Sequence, residues 1–160
     1  HEAALNHGGK TVVVVGTGLL AAVHPSKNKS LFEAVIFSGG AVVSCFPLEM
    51  PGSPWQFPVR NRIIAGMTRG TFVVQAAEKS GSLITAQYAL NENRNVYALP
   101  GLFDDEKSSG CHKLLQQGAQ LVTCAQDILQ DYGIEEMAHQ GVTQEVVVQE
   151  SFFTKKFQSR

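Results

Sequence analysis

Charge is scarce in this chain of 160 residues: 17% are Asp, Glu, Lys or Arg against 44% hydrophobic, and the formal net charge is −1. That composition excludes a disordered or coiled-coil polypeptide and fits a single globular domain with its own core. It also excludes a protein whose overall field attracts nucleic acid, so any such affinity must come from a local patch. Cysteine is sparse as well. Cys45, Cys111 and Cys124 form no C-x-x-C pair and leave one over, which points away from a disulfide framework and toward the reducing cytoplasm. The histidines, His1, His7, His24, His112 and His139, show no ligand spacing with Cys or acidic residues, so no metal is expected. Neither a Ser-His-Asp set nor a carboxylate pair can be assembled, and nothing demands catalysis. Long apolar runs are missing too. The longest, Val12 to Val23, contains Gly16, Thr17 and Gly18 and stops at His24-Pro25, too short and broken to span a bilayer. The chain opens on His1 with no basic-then-apolar leader, and it is expected to be a piece of a longer polypeptide.

What is present is alternation of short β-branched runs with helical patterns, the signature of an α/β fold with a mostly parallel sheet. Thr11 to Val15 reads as a strand covered on both faces, ending at Gly16-Thr17-Gly18. A helix is expected after Pro25-Ser26, with Leu31, Phe32, Val35 and Ile36 on one stripe and Gly39-Gly40 as its stop. Ala41 to Ser44 is the next strand, and Pro47, Pro51, Gly52 and Pro54 then enforce a loop. Pro58 suits the first turn of a helix whose apolar side is Ile63, Ile64 and Met67. Strands follow at Thr71 to Gln75 and Asn95 to Leu99, separated by a helix from near Ser82 with Leu83, Ala86 and Leu90 inward. Gly110 to Gln117 reads as a helix stopped by Gly118, and Gln120 to Val122 as a last strand. Thr123 with Gln126 predicts a capping box for a helix over Asp127 to Tyr132. The domain is placed at residues 1–132. Residues 133–160 are left as an unassigned tail, a remnant of a linker or winged helix, with strand-like Val146 to Val148 and helix-like Phe152, Phe153 and Phe157.

Charge is unevenly placed: residues 1–100 carry 8 basic and 5 acidic side chains, residues 101–160 carry 5 and 9. Four sets of residues are candidate ligand contacts. Gly16-Thr17-Gly18 with Ala21 fits the permissive dinucleotide fingerprint, but no helix follows directly and no acidic residue ends the second strand, so a close backbone turn is favoured. Ser80-Gly81-Ser82 opens a helix, where free N–H groups attract phosphate; taken alone, a plain N-cap by Ser80 or Ser82 is the favoured reading. Arg60, Asn61 and Arg62 sit in the first turns of another helix, where cations oppose the dipole and require an anionic partner. Between residues 24 and 69 only Glu33 and Glu49 are available against five basic residues, which tilts the reading toward phosphate over a buried carboxylate pair. Lys27, Lys29 and Phe32 form a smaller set, with cations for phosphate and a ring for a base, although such a Phe is ordinarily core.

Together these motifs, Gly8-Gly9-Lys10-Thr11 through Gly16-Thr17-Gly18, His24-Pro25, Phe57-Pro58-x-Arg60-Asn61-Arg62-Ile63-Ile64-Ala65-Gly66, Ser80-Gly81-Ser82-Leu83-Ile84-Thr85-Ala86, Leu99-Pro100-Gly101 and Gly118-Ala119, resemble the DNA-processing protein A family (DprA/Smf) from His1 to about Tyr132. The resemblance implies an extended Rossmann-like domain, with no cofactor and no turnover. Such a domain binds single-stranded DNA with little sequence preference, dimerises, and passes the strand to the recombinase RecA in natural transformation. It implies Lys29, Arg60 and Arg62 as backbone contacts, Phe32 as a stacking ring, and Ser80 to Ser82 as a pocket wall. It also implies a dimer surface over His112 to Leu121, with Leu114, Leu115 and Leu121 exposed. A nucleotide-binding enzyme or sensor using the same anion pocket is the alternative, and a fragment that only associates through Leu114 and Leu115 is a third. Three departures stand out. The family's preceding part, with its glycine-serine-arginine turn, is missing here. Gln75 stands where a glutamate is expected, and the segment from Ile134 is short for a winged helix.

Overall fold

The computed structural model describes residues 1–134. One compact unit covers His1–Thr123 and a second begins at Cys124; the signals noted at residues 146–148 and 152–157 lie outside the described residues. The first unit runs α1 (Glu2–Asn6), β1 (Val12–Val14), α2 (Lys29–Phe37), β2 (Ala41–Val43), α3 (Gln56–Met67), β3 (Gly70–Val73), α4 (Gly81–Asn91), β4 (Asn95–Ala98), α5 (Ser109–Gln116) and β5 (Gln120–Leu121). Single 3₁₀ turns at Ser26–Asn28 and Glu106–Ser108 lead into α2 and α5. Helix α1 was not foreseen: its five residues are too few for a periodic signal and none of them is buried.

Each described strand pairing is parallel, as crossover helices between strands require. The strands nevertheless fall into two sheets, β1 beside β2 and β3-β4-β5 in that order, where a single sheet was expected. Val12, Val13 and Val14 stand opposite Ala41, Val42 and Val43, and Val73 stands opposite Ala98, which in turn neighbours Leu121. The principal core cluster belongs to the three-stranded side, where Ala65, Val73, Ala76, Ala86, Ala89, Val96, Ala98, Cys111 and Leu114 are buried together. Helices α3 and α4 pack on each other through the small side chains Ala65, Ala86 and Ala89, each 0% exposed. The inward face of α4 is therefore Ala86 and Ala89, whereas Leu90 is exposed, because alanines let the two helices approach closely and the larger leucine faces out.

Two glycines are fixed, one by contact and one by its backbone angle. A Cβ at Gly18 would overlap the carbonyl oxygens of Pro47 and Leu48, and the Gly18 N–H donates to Met50 O at 2.8 Å. The turn after β1 is thus glycine so that the loop after β2 can lie on it, and α2, the next helix in the chain, starts only at Lys29. Gly118 ends α5 with φ +97, the left-handed stop expected from sequence. In the second unit, α6 (Ala125–Asp131) is capped one residue later than the Thr123–Gln126 reading: Cys124 N–H donates to Asp127 Oδ2 at 3.1 Å. The pattern S/T-x-x-E/Q favoured Thr123 as the cap, but Asp serves as the acidic third residue with any N-cap backbone N–H.

The turn before α5 is held by Asp105, whose carboxylate accepts from Lys107 N–H at 3.0 Å and Ser108 Oγ–H at 2.9 Å. These bonds, the Lys107 backbone first, hold its carboxyl below the ordinary aspartate range, with a smaller contribution from the Gln75 side chain. Gln75 is thus an amide donor toward Asp105, where a glutamate would be a second anion.

Two outcomes are expected. Ala86→Leu forces a larger side chain between α3 and α4 and should lower stability by roughly 1–3 kcal/mol, read as a lower denaturation midpoint with unchanged m. The Asp105 contribution is complete above the unfolded-state pKa of about 3.9 and is lost as pH falls through the lower folded value, so wild type and Asp105→Asn should differ in thermal midpoint at neutral pH and converge in acid. A pH-independent difference would contradict the assignment.

Candidate nucleic-acid interface

Helix α3 crosses from one sheet to the other, and its cations define the site. It begins at Gln56, two residues before Pro58, so Arg60 and Arg62 lie in its second turn and not at its mouth. The opposition to the helix dipole inferred from sequence is weaker there. Two residues along a helix turn about 200°, so the two side chains diverge. Arg60 turns toward β1. Its Nη1 donates to Val14 O at 2.6 Å, its Nε to Asn61 Oδ1 at 3.0 Å, and its Cζ lies 5.8 Å from the Phe57 ring centroid. Arg62 turns to α4, with Nε and Nη2 each 3.2 Å from Glu92 Oε1. The two guanidiniums, named together as candidate phosphate contacts, therefore face different elements.

Arg60 is half-buried, and burial lowers its pKa from the ordinary arginine value. Among the described residues its hydrogen-bond partners are uncharged groups. A buried guanidinium without an anion is an unfavourable placement unless its donors are satisfied, and here a backbone carbonyl and an amide satisfy two of them. The Arg62–Glu92 pair is exposed and contributes little, so Arg62 is readily released to another anion.

Arg60 lines a cavity of about 1150 Å³ with Val12 to Thr17, Phe32, Phe57, Ile64 and Met67. Lys10 and His24 also line it; both stand in motifs that carry the family resemblance, but neither was named as a ligand contact, because each sits between elements where no periodicity marks it. Phe32 is half-buried there, between the core and solvent-facing readings. Lys27 lies in the 3₁₀ turn and Lys29 opens α2; both are exposed and neither lines the cavity. Ser80 caps α4, its hydroxyl accepting from Ser82 N–H at 3.2 Å, so the N-cap reading is realised. Gly81 and Ser82 are exposed beside it, and Ser80 borders two smaller hollows, of about 500 and 650 Å³, the second of them also lined by Lys79, Lys107 and Gln75. The predicted contacts thus form three clusters: Arg60 with Phe32 and Asn61 nearby, Ser80 to Ser82 at α4, and Lys27 with Lys29 at the α2 start.

The expected association surface divides in the same way. Leu121 is 51% exposed, Leu115 is half-buried, and Leu114, 6% exposed, is a core residue of the β3-β4-β5 side. Leu114 is thereby corrected as an exposed contact: on α5 it shares the inward face with Cys111, whose thiol lies 3.6 Å from Val73 O. His112 is half-buried with Nε2 3.1 Å from Gly101 O. Among the described residues no helix is long and apolar enough to cross a membrane, and no three His, Cys, Asp or Glu gather as a metal site.

Comparison with known proteins adds the context of these residues. The chain is 46% identical to Protein Smf of Escherichia coli over 131 residues, and 48% identical to DNA processing protein DprA of Streptococcus pneumoniae over 133. These alignments span 82% of this chain but 35% and 46% of the two relatives, so the chain corresponds to less than half of either. The solved structure of the Streptococcus pneumoniae DprA superposes with a TM-score of 0.73 at 46% identity, covering 82% of this chain and 46% of that one. A structure of DNA processing protein A from Helicobacter pylori, described for its single-stranded DNA binding mode, superposes with a TM-score of 0.67 at 23% identity, over 76% of this chain and 55% of its own. The fold is accordingly the α/β, Rossmann-like fold of these proteins. The family model described as DNA recombination-mediator protein A matches residues 1–144, and this chain belongs to that family.

Proposed function

We propose that this chain supplies part of a sequence-independent binding site for single-stranded DNA, in a non-enzymatic cytoplasmic protein that acts in DNA processing and recombination. The observation that carries the reading is Arg60, a half-buried cation lining an apolar cavity whose hydrogen-bond partners among the described residues are uncharged. A phosphate oxygen offers that guanidinium a charged acceptor that Val14 O is not, and Phe32 and Phe57 on the same wall offer rings to an unstacked base. Lys27, Lys29 and Arg62 are flanking backbone contacts. Asn61 orients Arg60, and the open α4 start at Ser80, Gly81 and Ser82 receives a further phosphate. Family membership, and the single-stranded DNA described for the Helicobacter pylori relative, support the substrate class.

The finer role follows the family resemblance: the complete protein protects incoming strands in natural transformation, works as a homodimer, and promotes loading of the RecA recombinase. In the dimer, Leu121 and Leu115 are contact residues, with His112 beside them and Leu114 supporting from the core.

Contacts of this kind release counterions, so affinity should fall steeply with salt. In the full-length polypeptide, Arg60→Ala and Lys29→Ala should each weaken binding of labelled oligo-dT and reduce the slope of log K against log salt by about 0.7. Unchanged affinity and slope in both variants would remove these residues from the site. Tight binding of a mononucleotide with no gain for a long strand would favour the nucleotide-sensor reading.

A further inference from the structure

Trp55, the single tryptophan of the chain, stands at the N-cap of α3 and is 56% exposed. A ring of that size ordinarily gives most of its surface to a core or an interface. Here the next residue takes the inward place: Gln56 is buried, and Trp55 and Phe57 on either side of it are turned out. Ser53, Pro54 and Phe57 line the cavity of about 1150 Å³ that holds Arg60, so Trp55 stands at the rim of that cavity without being part of its wall.

The indole is held in place and still accessible. Phe46 meets it edge to face, with ring centroids 5.8 Å apart and an interplanar angle of 86°. In such a pair each ring engages at most one face of the other, so Phe46 covers no more than one face of the indole. Phe46 N–H donates to Ser44 Oγ at 3.0 Å and Ser44 Oγ–H donates to Thr17 O at 2.6 Å, which ties the aromatic pair to the carboxyl ends of β1 and β2. Bonds from Gln56 N–H to Ser53 O at 3.1 Å and from Phe57 N–H to Pro54 O at 3.3 Å close the turn that carries Trp55. A ring ordered in advance loses little freedom when a ligand stacks on it.

The segment around it suits a polyanion that carries rings. From Met50 to Ala77 the sequence has no Asp or Glu but has Arg60, Arg62 and Arg69, so no carboxylate of this segment repels a phosphate. Exposed aromatic rings among cations are the arrangement on which unpaired bases stack with little regard to sequence. We propose that Trp55 is a base-stacking platform at the rim of the Arg60 cleft, where the nucleotide next to the one whose phosphate meets Arg60 lays its base on the indole. Trp55 already has helical backbone angles, φ −66 and ψ −21, so it and Phe57, two residues on, diverge as Arg60 and Arg62 do. Neighbouring bases are thereby parted, one to each ring. A duplex has no free base face to offer, and the contact selects single strands. This deepens the DNA-binding reading and rests on it.

The test separates bases from phosphates. In the full-length polypeptide, anisotropy of labelled oligo-dT and of a labelled abasic strand of equal length reports binding with and without bases. Trp55→Ala should weaken oligo-dT binding about 5-fold or more and leave the abasic strand unaffected, whereas Trp55→Phe should keep most of the oligo-dT affinity. The slope of log K against log salt should stay that of the wild type, because no charge is lost. Equal oligo-dT affinity in wild type and Trp55→Ala would overturn the inference and leave the DNA-binding reading intact. An equal loss for both strands would also overturn it, since Trp55 would then only hold the start of α3. A wild type that binds neither strand would remove the DNA-binding reading itself, and the inference with it.

Discussion

A β-strand can satisfy its backbone only by pairing on both sides or by meeting water or a side chain, and among the described residues β1 has a strand on one side alone. The bond from Arg60 Nη1 to Val14 O closes part of the other side. Much of this half of the unit follows from that contact. It ties α3 to β1, it places a cation inside an apolar cavity, and it accounts for a guanidinium whose pKa burial pulls down. The three-stranded half carries no such burden. Its core is closed by alanines, valines, Cys111 and Leu114, and α4 and α5 are held by packing that needs no charge.

The proposed site lies where the packing is least complete. The apolar wall of Val12, Phe32, Phe57 and Met67 and the cation among them would be a poor core, but they suit a ligand that is part ring and part phosphate. Arg62 illustrates the opposite condition. It shares the sequence motif with Arg60, but its side chain is solvated and paired with Glu92, so it contributes to the long-range field and not to the cavity. A strand laid across α3 would meet the two cations on different faces, which favours a contoured path over a single pinch point.

Most of the elements were legible in the sequence, because β-branched runs ending in glycine and helices with clear stops leave strong local patterns. The strands at Val12–Val14, Ala41–Val43, Gly70–Val73 and Asn95–Ala98 and the Gly118 stop belong to this class. Less was legible where a decision depends on three-dimensional neighbours. The break into two sheets has no sequence mark, since an edge strand and a central parallel strand of three valines look alike. Leu114 and Leu90 exchanged their expected exposure because the helix faces were set by the alanines opposite them. The motif around Arg60 was conspicuous, and the divergence of Arg60 from Arg62 follows from helical geometry alone, whereas their partners, Val14 O and Glu92, are distant in sequence and carry no local mark. Gly18 was read correctly as a close backbone turn, but its partner, the loop at Pro47 and Leu48, lies 29 residues on and could not be named.

The most direct measurement is the NMR signal of each arginine Nε–Hε in the full-length polypeptide as oligo-dT is added. The Arg60 resonance should move first and saturate with binding, and the shift should disappear at high salt. An Arg60 resonance that stays in place while the DNA binds would contradict it.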